Sequence, residues 1–302
     1  MKWSFIIPAH NSSKYIADLF DSIPRRDDLE VIVVDDHSDE GEVVSTRELL
    51  SQANFPHSIF LQNTGVNSAG AARNLGVSSS SGQWIIFADS DDVFETESLE
   101  RAMKKYDDSD SDLVYFCPYV EGRDWELVRR YSKYFKKPST IEFTRLRYNI
   151  PSVWSKFIHR DLIERGGIRA EEVLVANDWM MSTKLAFFAR NLTMDGSLRL
   201  YRLRYREGSL VTGRSLDRYL TREGVLIRRN SFLRERLDVR DFRIAARSRL
   251  MPVKNCLRLH GPVQALRSYR RLRSAGVPVL IVQDIASTMR WTVSALRGRS
   301  QK

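Results

Sequence analysis

The stretch WIIFADSDD, residues 84–92, sets an apolar run directly before three carboxylates with no basic residue among them. Residues 84–88 are short, aromatic and β-branched and follow a Ser-Gly pair, which predicts a buried strand. In extended chain Asp89 and Asp91 point to one side and Asp92 to the other. Two carboxylates on one side repel each other unless a cation neutralises them, and Mg²⁺ and Mn²⁺ bind through one or two carboxylates together with substrate phosphates. The stretch therefore predicts a divalent-metal site formed by Asp89 and Asp91, with capping of the next helix, near Phe94, by Asp91 and Asp92 as the alternative.

Strands and helices alternate before this stretch. Residues 3–7, 29–34 and 58–61 are apolar runs that predict strands, residues 12–23 carry apolar side chains at helical spacing, and residues 70–77 also predict a helix. This βαβ alternation implies a mainly parallel sheet flanked by helices, with ligands at the carboxyl ends of the strands. We therefore expect the acidic groups after the second strand and after residues 84–88 to lie along one sheet edge.

Several motifs in order resemble those of the family 2 inverting nucleotide-sugar glycosyltransferases. They are PAHN (8–11), VVDDHSD (33–39), GAARNLG (70–76), ADSDD (88–92), VWSKFIHRDLIERGGIR (153–169) and YREGSL (205–210). Two positions depart from the family pattern: His10 stands where the family has an aromatic ring, and Asn177 stands where it often has Glu. The resemblance covers roughly residues 1–213.

The resemblance implies an α/β, Rossmann-like GT-A fold followed by a C-terminal helical extension. We expect residues 1–120 to form the nucleotide-sugar-binding half, residues 121–213 the acceptor-binding half, and residues 214–302 an Arg-rich helical extension. The family roles then fall on residues of this chain. The predicted donor-binding residues are Pro8, Ala9, Asn11, Asp36, Arg73, Asp89, Ser90, Lys156 and Arg206; the predicted acceptor-binding residues are Trp154 and Asn177; and Asp89 and Asp91 are the predicted ligands of Mn²⁺ or Mg²⁺.

Simpler roles remain open for several of these side chains. An Asp after a strand, such as Asp36, is an ordinary turn former. Arg73 either faces phosphate, holds the loop of residues 89–91 by a charge-assisted hydrogen bond, or is a plain exposed helix residue. Trp154 is equally typical of a core position, and Lys156 of a solvated one.

Asp178 is the predicted catalytic base. An inverting transferase needs one carboxylate to remove the proton of the acceptor hydroxyl, and the leaving diphosphate is stabilised by metal, so that no second acid is needed. The apolar segment VLVANDWMM (173–181) favours a raised carboxylate pKa through desolvation. Helix N-capping by Asn177 or Asp178 is the alternative role, and Glu171 and Glu172 are the alternative bases.

Charge is divided unevenly along the chain. Residues 1–120 carry 9 Lys and Arg against 21 Asp and Glu, whereas residues 201–302 carry 24 against 7, and 22 of those 24 are Arg. The basic segment reads as helical: Pro262 marks a helix start, Val263, Leu266, Tyr269 and Leu272 form one apolar stripe, and Ile281, Ile285, Met289, Val293 and Leu296 form another. Such stripes are more often packing faces than lipid-inserting ones.

An excess of Arg predicts an anionic partner. Contact with an anionic membrane surface is the first expectation, because such lipids attract Lys and Arg, and a solvated or homo-oligomerising face is the second. Nucleic acid is disfavoured, since no aromatic stacking platform accompanies the basic residues. Two distant cysteines, no apolar run long enough to cross a membrane and no signal-peptide pattern suggest a cytoplasmic protein, peripheral on the inner face of the cell membrane.

These observations predict metal-dependent, inverting transfer of one sugar from a nucleoside-diphosphate sugar, by preference a UDP-sugar. The expected acceptor is a glycan or a polyprenyl-linked molecule in cell-surface polysaccharide biosynthesis. A catalytically degenerate GT-A-like protein that binds or scaffolds at the membrane surface is the alternative, because of the departures at His10 and Asn177.

Overall fold

The computed structural model describes residues 1–120, 128, 131–132, 135, 140–204 and 215–280. The chain divides into two compact units, residues 1–209 and residues 210–302. The first unit holds the predicted transferase domain, and the second holds the Arg-rich segment. The division of the first unit into donor and acceptor halves stays a prediction.

The first unit alternates strands and helices. Its strands are β1 (Trp3–Ala9), β2 (Leu29–Asp35), β3 (Ser58–Gln62), β4 (Trp84–Phe87), β5 (Val93–Phe94), β6 (Leu113–Phe116), β7 (Tyr119–Val120), β8 (Lys156–His159), β9 (Leu192–Asp195) and β10 (Tyr201–Leu203). Its described helices are α1 (Ser13–Ser22), α2 (Glu40–Gln52), α3 (Ala69–Ser79), α4 (Thr96–Tyr106), α5 (Thr140–Asn149), α6 (Arg160–Arg165) and α7 (Asn177–Phe188).

Seven strands form one sheet in the order β3-β2-β1-β4-β8-β6-β9. The pairs β3/β2, β2/β1, β1/β4 and β6/β9 are parallel, and β8 is antiparallel to both of its neighbours. The predicted mainly parallel α/β sheet is therefore confirmed. Since β1, β2 and β4 run in the same direction, the segments that follow Ala9, Asp35 and Phe87 emerge at one edge of the sheet.

The core explains why the apolar runs of the sequence become central strands. Every residue of β1 and β2 is buried, as expected for parallel strands covered on both faces. Trp3 pairs in register with Trp84, and their rings stack with centroids 5.9 Å apart. α3 packs closely on this sheet because Gly76 has no side chain: a Cβ there would come within 2.4 Å of Ile6 Cγ2.

The segment after the three carboxylates differs from the prediction. The next helix, α4, begins at Thr96 rather than near Phe94, and its N-cap residue is Glu95. Val93 and Phe94 instead form β5, which joins β10 and β7 in a small second sheet of order β5-β10-β7. Helix capping by Asp91 and Asp92 is therefore excluded as the reason for their presence.

The second unit is helical over its described residues, which confirms a helical C-terminal region. Its helices are α8 (Leu216–Arg236), α9 (Val239–Ala245) and α10 (Leu250–Ser274). Gly261 interrupts α10 with φ 82°, in the left-handed region that favours glycine, and the helix resumes at Pro262 as predicted. No described helix of the chain is long and apolar enough to cross a bilayer.

The apolar stripe predicted after Pro262 is only partly a packing face. Leu272 is fully buried, but Val263 and Leu266 are 62% and 51% exposed. The inward face consists instead of Ala265, Ser268 and Leu272, where Ser268 is hydrogen-bonded to the Tyr219 hydroxyl. The second predicted stripe, from Ile281 to Leu296, lies outside the described residues.

Candidate active site

The three carboxylates after β4 occupy different environments. Asp92 is 4% exposed and accepts hydrogen bonds from the Tyr201 hydroxyl and the Arg204 backbone N–H, both at 2.9 Å. Burial, with the negative charges of Asp89 and Asp91, raises the pKa of Asp92 well above its usual range. Asp89 and Asp91 are partly accessible. Asp92 thus anchors the loop, and Asp89 and Asp91 remain on its accessible side.

Two stacked aromatic residues, Tyr201 and Trp154, pack next to this loop. The Tyr201 hydroxyl donates to Asp92 and accepts from the Asp89 backbone N–H at 2.9 Å. The Tyr201 ring stacks on Trp154 with centroids 5.4 Å apart and an interplanar angle of 4°. Trp154 is 7% exposed, and its ring packs in the core beside Tyr201, so acceptor binding by Trp154 stays a prediction. Ser90, a predicted donor contact, is also buried.

Arg73 connects this loop to α7. It is buried on α3, donates from one guanidinium nitrogen to Asp89 Oδ1 at 2.7 Å and from the other to Asn177 Oδ1 at 2.7 Å. Its Nε is buried and has no hydrogen-bond partner among the described residues. Of the roles open to Arg73, the structure shows the charge-assisted hydrogen bond to the loop. Asn177 is buried as well, and an acceptor contact by its side chain stays a prediction.

α3 lies unusually close to the segment that leads into α7. A Cβ on Gly70 would come within 2.2 Å of the Glu171 carbonyl oxygen, so the approach requires glycine at this position. Asn74 strengthens the contact by donating to the Ala170 carbonyl and accepting from the Ala170 N–H, at 3.1 Å and 2.9 Å. Sequence reasoning missed the role of Asn74, although its place one residue after Arg73 in GAARNLG was a usable signal.

Asp178 lies in the first turn of α7, next to this network. Its N-cap residue is Ala176, in the left-handed region at φ 60°, so neither Asn177 nor Asp178 is the cap. Burial, and next the negative charge of Asp89, raise the pKa of Asp178 to about 6, against the opposing positive charges of Arg73 and Lys156. The side chain keeps part of its surface accessible. Asp178 is therefore ionised near neutral pH and is held with a high proton affinity, as a general base requires.

The alternative bases are placed less favourably. Glu172 is exposed, and its carboxylate accepts from Asn74 Nδ2 at 3.1 Å. The Glu171 backbone N–H donates to the Asn177 carbonyl at 3.0 Å, which closes the loop before α7. Asp178 stays the first candidate base, because burial raises its pKa to about 6.

Lys156, a predicted donor-binding residue, is buried. Its side chain is 1% exposed, and its ammonium group donates to Ser182 Oγ at 2.6 Å and to the backbone carbonyls of Ile150 and Ser152. Burial lowers the pKa of Lys156 to about 7, while the charge of Asp178 acts to raise it. Lys156 is thus hydrogen-bonded within the core, and donor binding by its side chain stays a prediction.

The residues at the carboxyl ends of β1 and β2 include those predicted to bind the nucleotide. Asp36 is buried, its backbone N–H donates to the Ala9 carbonyl at 2.7 Å, and its Oδ1 accepts from Asn63 Nδ2 and from the Ser68 backbone N–H. These bonds fix one oxygen of the carboxylate. Asn63 and Ser68 were not predicted; their position beyond β3 and before α3 was the available signal.

Two residues at this edge have strained backbones. Asn11, after β1, has φ 45°, and His37, after β2, has φ 61°. Asn11 and Asp39 exchange two hydrogen bonds of 2.9 Å and 3.1 Å across the two loops. Pro8 lies within β1, paired with Val34, and donor binding at Pro8 stays a prediction. Such strain clusters at functional sites.

The remaining donor-site residue of the prediction, Arg206, lies outside the described residues. A protein-only metal cage is absent from the described part of the chain, where no three His, Cys, Asp or Glu side chains cluster around a common point. Asp89 and Asp91 instead offer carboxylate oxygens on one partly open loop, with Asp89 Oδ1 already held by Arg73. This donor set fits Mg²⁺ or Mn²⁺, which bind through one or two carboxylates and complete their shells with water and phosphate oxygens.

Comparison with known proteins agrees with this geometry. The family model described as "Glycosyl transferase family 2" matches residues 4–165, more than half of the chain. The chain belongs to glycosyl transferase family 2. It carries a family 2 glycosyltransferase domain over residues 4–165, and the predicted GT-A fold is confirmed.

Two curated relatives illustrate the range of similarity. The chain is 28% identical over 214 residues to the poly(ribitol-phosphate) β-N-acetylglucosaminyltransferase TarS of Staphylococcus aureus, a match that covers 69% of this chain and 36% of TarS. It is 23% identical over 235 residues to the glycosyltransferase GlyG of Streptococcus pneumoniae, covering 69% and 72% of the two chains. The chain thus spans only about a third of the length of TarS.

Solved structures show the same fold. The crystal structure of S. aureus TarS 1–349 in complex with UDP-GlcNAc superposes with a TM-score of 0.73 at 22% identity, covering 92% of this chain and 82% of that one. The mannosyltransferase PcManGT of Pyrobaculum calidifontis, in complex with GDP-Man and Mn²⁺, superposes with a TM-score of 0.59 at 19% identity, covering 98% and 80%.

Proposed function

We propose that this glycosyltransferase catalyses metal-dependent, inverting transfer of a single sugar from a UDP-sugar to a glycan or polyprenyl-linked acceptor. One observation carries the proposal. Arg73 joins Asp89 of the predicted metal loop to Asn177 at the start of α7, and Asp178 follows directly. The predicted metal loop is thereby tied to the start of the helix that carries the proposed base, and such positioning favours direct displacement at a sugar carbon.

The reaction follows from these roles. Asp178 accepts the proton of an acceptor hydroxyl while that oxygen attacks the anomeric carbon of the sugar. The bond between this carbon and the diphosphate oxygen breaks on the opposite face, so the configuration inverts and UDP leaves. Asp89 and Asp91 would hold a divalent ion, which would neutralise charge on the leaving diphosphate. The pKa of about 6 keeps Asp178 ionised in the resting enzyme at neutral pH.

The donor and acceptor classes rest on the relatives. TarS binds UDP-GlcNAc and by its name acts on a poly(ribitol-phosphate), while PcManGT binds GDP-Man with Mn²⁺. The better superposition with TarS favours a UDP-sugar and a cell-surface polymer or its lipid-linked precursor. The PcManGT complex favours a bound divalent ion, with Mn²⁺ as the first to test.

The second unit supports a peripheral position on an anionic, cytoplasmic membrane face. Residues 242–280 contain nine Lys and Arg and no Asp or Glu. On the outer face of α10, exposed Val263 and Leu266 are followed at helical spacing by exposed Arg267, Arg270 and Arg273, which form no side-chain ion pair with the described residues. Apolar groups beside cations are the composition of a helix face that lies on anionic lipid.

A thermal-shift screen of nucleoside diphosphates, each with and without Mn²⁺, tests the proposal directly. A ligand that binds only the folded state raises the unfolding midpoint. We expect UDP with Mn²⁺ to raise it more than UDP alone or GDP with Mn²⁺, and UDP-sugars to be hydrolysed slowly in the presence of Mn²⁺. Equal midpoints for all nucleotides would contradict the donor assignment.

A further inference from the structure

Lys156 carries a buried charge that the proposed reaction does not use directly. Its ammonium group lies 4.4 Å from the centroid of the Tyr115 ring and donates to Ser182 Oγ and to two backbone carbonyls. No carboxylate among the described residues forms an ion pair with it. Removing an unpaired ammonium from water opposes folding. An apolar side chain of similar length would fill this space at a lower cost, so the charge itself requires a physical reason.

The backbone is strained where the chain enters β8 with Lys156. Ser155 has φ 58°, in the left-handed region, and is held there by hydrogen bonds from its Oγ to the Phe116 carbonyl at 3.1 Å and from the Phe116 N–H to its own carbonyl at 3.0 Å. A serine in this region is unfavourable unless the surroundings enforce it. An unfavourable backbone conformation is therefore retained at Ser155, the residue that directly precedes Lys156.

The ammonium group reaches the helix that carries Asp178. Ser182 lies four residues after Asp178 on α7, so the two side chains share one face of the helix. Ser182 Oγ accepts a hydrogen bond from the Lys156 ammonium group and donates one to the Ile150 carbonyl at 2.7 Å. The positive charge thus lies about one helical turn from the Asp178 carboxylate.

The charges around this pair are few. Arg73, Asp89 and Lys156 act on Asp178, and Asp178 is the charged group that acts on Lys156, whose other neighbours are the neutral Tyr115 and Ser182. The Lys156 ammonium group donates to Ser182 and to backbone carbonyls, whereas Arg73 donates to Asp89 of the metal loop. Lys156 therefore supplies a positive charge that is separate from the metal loop.

We propose that Lys156 is a positioning residue for the catalytic base: it fixes the first turns of α7 through Ser182 and supplies the buried positive charge that keeps Asp178 ionised. This inference rests on the proposed function of Asp178. Burial and the negative charge of Asp89 favour protonation of Asp178, which would inactivate the base. A cation behind the base opposes that effect without contacting substrate.

The pKa shifts of the two groups agree with this role. Burial and Asp89 raise the pKa of Asp178 to about 6, and Lys156 is among the groups that lower it. Burial lowers the pKa of Lys156 to about 7, with Asp178 opposing that change. Lys156 is thus charged in the pH range in which Asp178 takes up its proton.

The first test is the pH profile of kcat for Lys156→Met at a fixed Mn²⁺ concentration. Without the buried charge, the midpoint of the acidic limb should rise by about one pH unit, because a nearby cation favours the ionised carboxylate. Ser182→Ala is the matched control: it removes the hydrogen bond but keeps the charge, so the midpoint should stay in place even if kcat falls. A lower kcat with an unmoved midpoint in Lys156→Met would overturn the proposal.

A second test does not depend on turnover. Because folded Lys156 binds fewer protons than the unfolded chain between about pH 7 and its ordinary pKa, wild-type stability should rise over that range, and the rise should be absent in Lys156→Met. In Asp178→Asn the rise in stability should begin at a lower pH, since the attraction between the two charges is lost.

An unchanged starting pH of this rise in Asp178→Asn would overturn the proposed coupling of Lys156 and Asp178. Full transferase activity of Asp178→Asn would instead overturn the proposed function and leave the coupling intact. If Lys156→Met does not fold, Lys156→Gln gives the same comparison with a polar replacement.

Discussion

The sheet edge of the first unit and the outer face of α10 carry charge in opposite ways. At the edge, Asp36, Asp89 and Asp92 each accept hydrogen bonds from named neighbours, so the carboxylates are fixed in place. On α10, Arg267, Arg270 and Arg273 are exposed and form no side-chain ion pair among the described residues. Fixed, partly buried charge sets protonation states and ligand geometry, whereas mobile exposed charge gives attraction that salt can screen. The comparison indicates chemistry at the first surface and association at the second.

The largest effect should follow from Asp91→Ala. This change removes an accessible carboxylate of the metal loop but leaves the buried Asp92 anchor, so the protein should fold while metal-dependent UDP binding is abolished. Isothermal titration calorimetry of UDP with and without Mn²⁺ measures it. Asp108→Ala, an exposed carboxylate remote from the loop, should bind as wild type does; undiminished Mn²⁺-dependent binding by Asp91→Ala would exclude Asp91 as a ligand.

The pH dependence of the wild type should show the raised pKa of Asp178. Turnover at saturating donor should fall as pH drops through about 6, because the base becomes protonated. Stability should change with pH in the direction opposite to turnover. Between the ordinary pKa of Asp and about 6 the folded state binds more protons at Asp178 than the unfolded chain does. The contribution of Asp178 to stability therefore falls as pH rises over that range. Chemical denaturation at several pH values should show a smaller slope in Asp178→Asn than in the wild type, where buried Asp92 also contributes. A kcat that stays flat down to pH 5 would contradict the assignment.

A smaller, salt-dependent effect is expected on α10. Replacing Arg267, Arg270 and Arg273 by Ser should weaken sedimentation with anionic vesicles, since each basic residue near such a surface contributes about 1 kcal/mol. The loss should be larger at low salt than at high salt, because exposed charges are screened over about 10 Å at 0.1 M. Replacing Lys14, Arg101 and Lys104 of the first unit by Ser makes the same change in charge and should weaken sedimentation less. Wild-type protein that ignores anionic vesicles at low salt, or that prefers single-stranded nucleic acid, would refute the membrane proposal.

The sequence predicted most of what depends on local pattern. Apolar runs located β1, β2, β3 and β4, and the alternation with helices gave the parallel sheet and therefore the edge where Asp36 and Asp89 meet. The break before Pro262 was also visible, because glycine and proline act through their own backbone restrictions.

The sequence could not show which way side chains turn in the assembled core. Trp154 and Lys156 occupy a segment typical of the family, but only the packing of β8 and β10 places one ring under Tyr201 and one ammonium group behind Asp178. The same limit applies to Val263, which fits a helical stripe yet faces outward. Such errors arise because periodicity gives relative spacing and tertiary contacts decide which face is inward.

The assignment of Asp178 as the base is tested most directly by measuring kcat and UDP affinity together for Asp178→Asn. Asparagine keeps the shape of the side chain but cannot accept the proton, so kcat should fall by roughly 10² to 10⁴. UDP affinity should hardly change, because Asp178 acts on the acceptor. Asn177→Ala is the neighbouring control, and it should lower kcat less than Asp178→Asn does unless the bond from Arg73 to Asn177 orients the base. Near-full transfer by Asp178→Asn, with unchanged UDP binding, would contradict the account and move the search to Glu171 and Glu172.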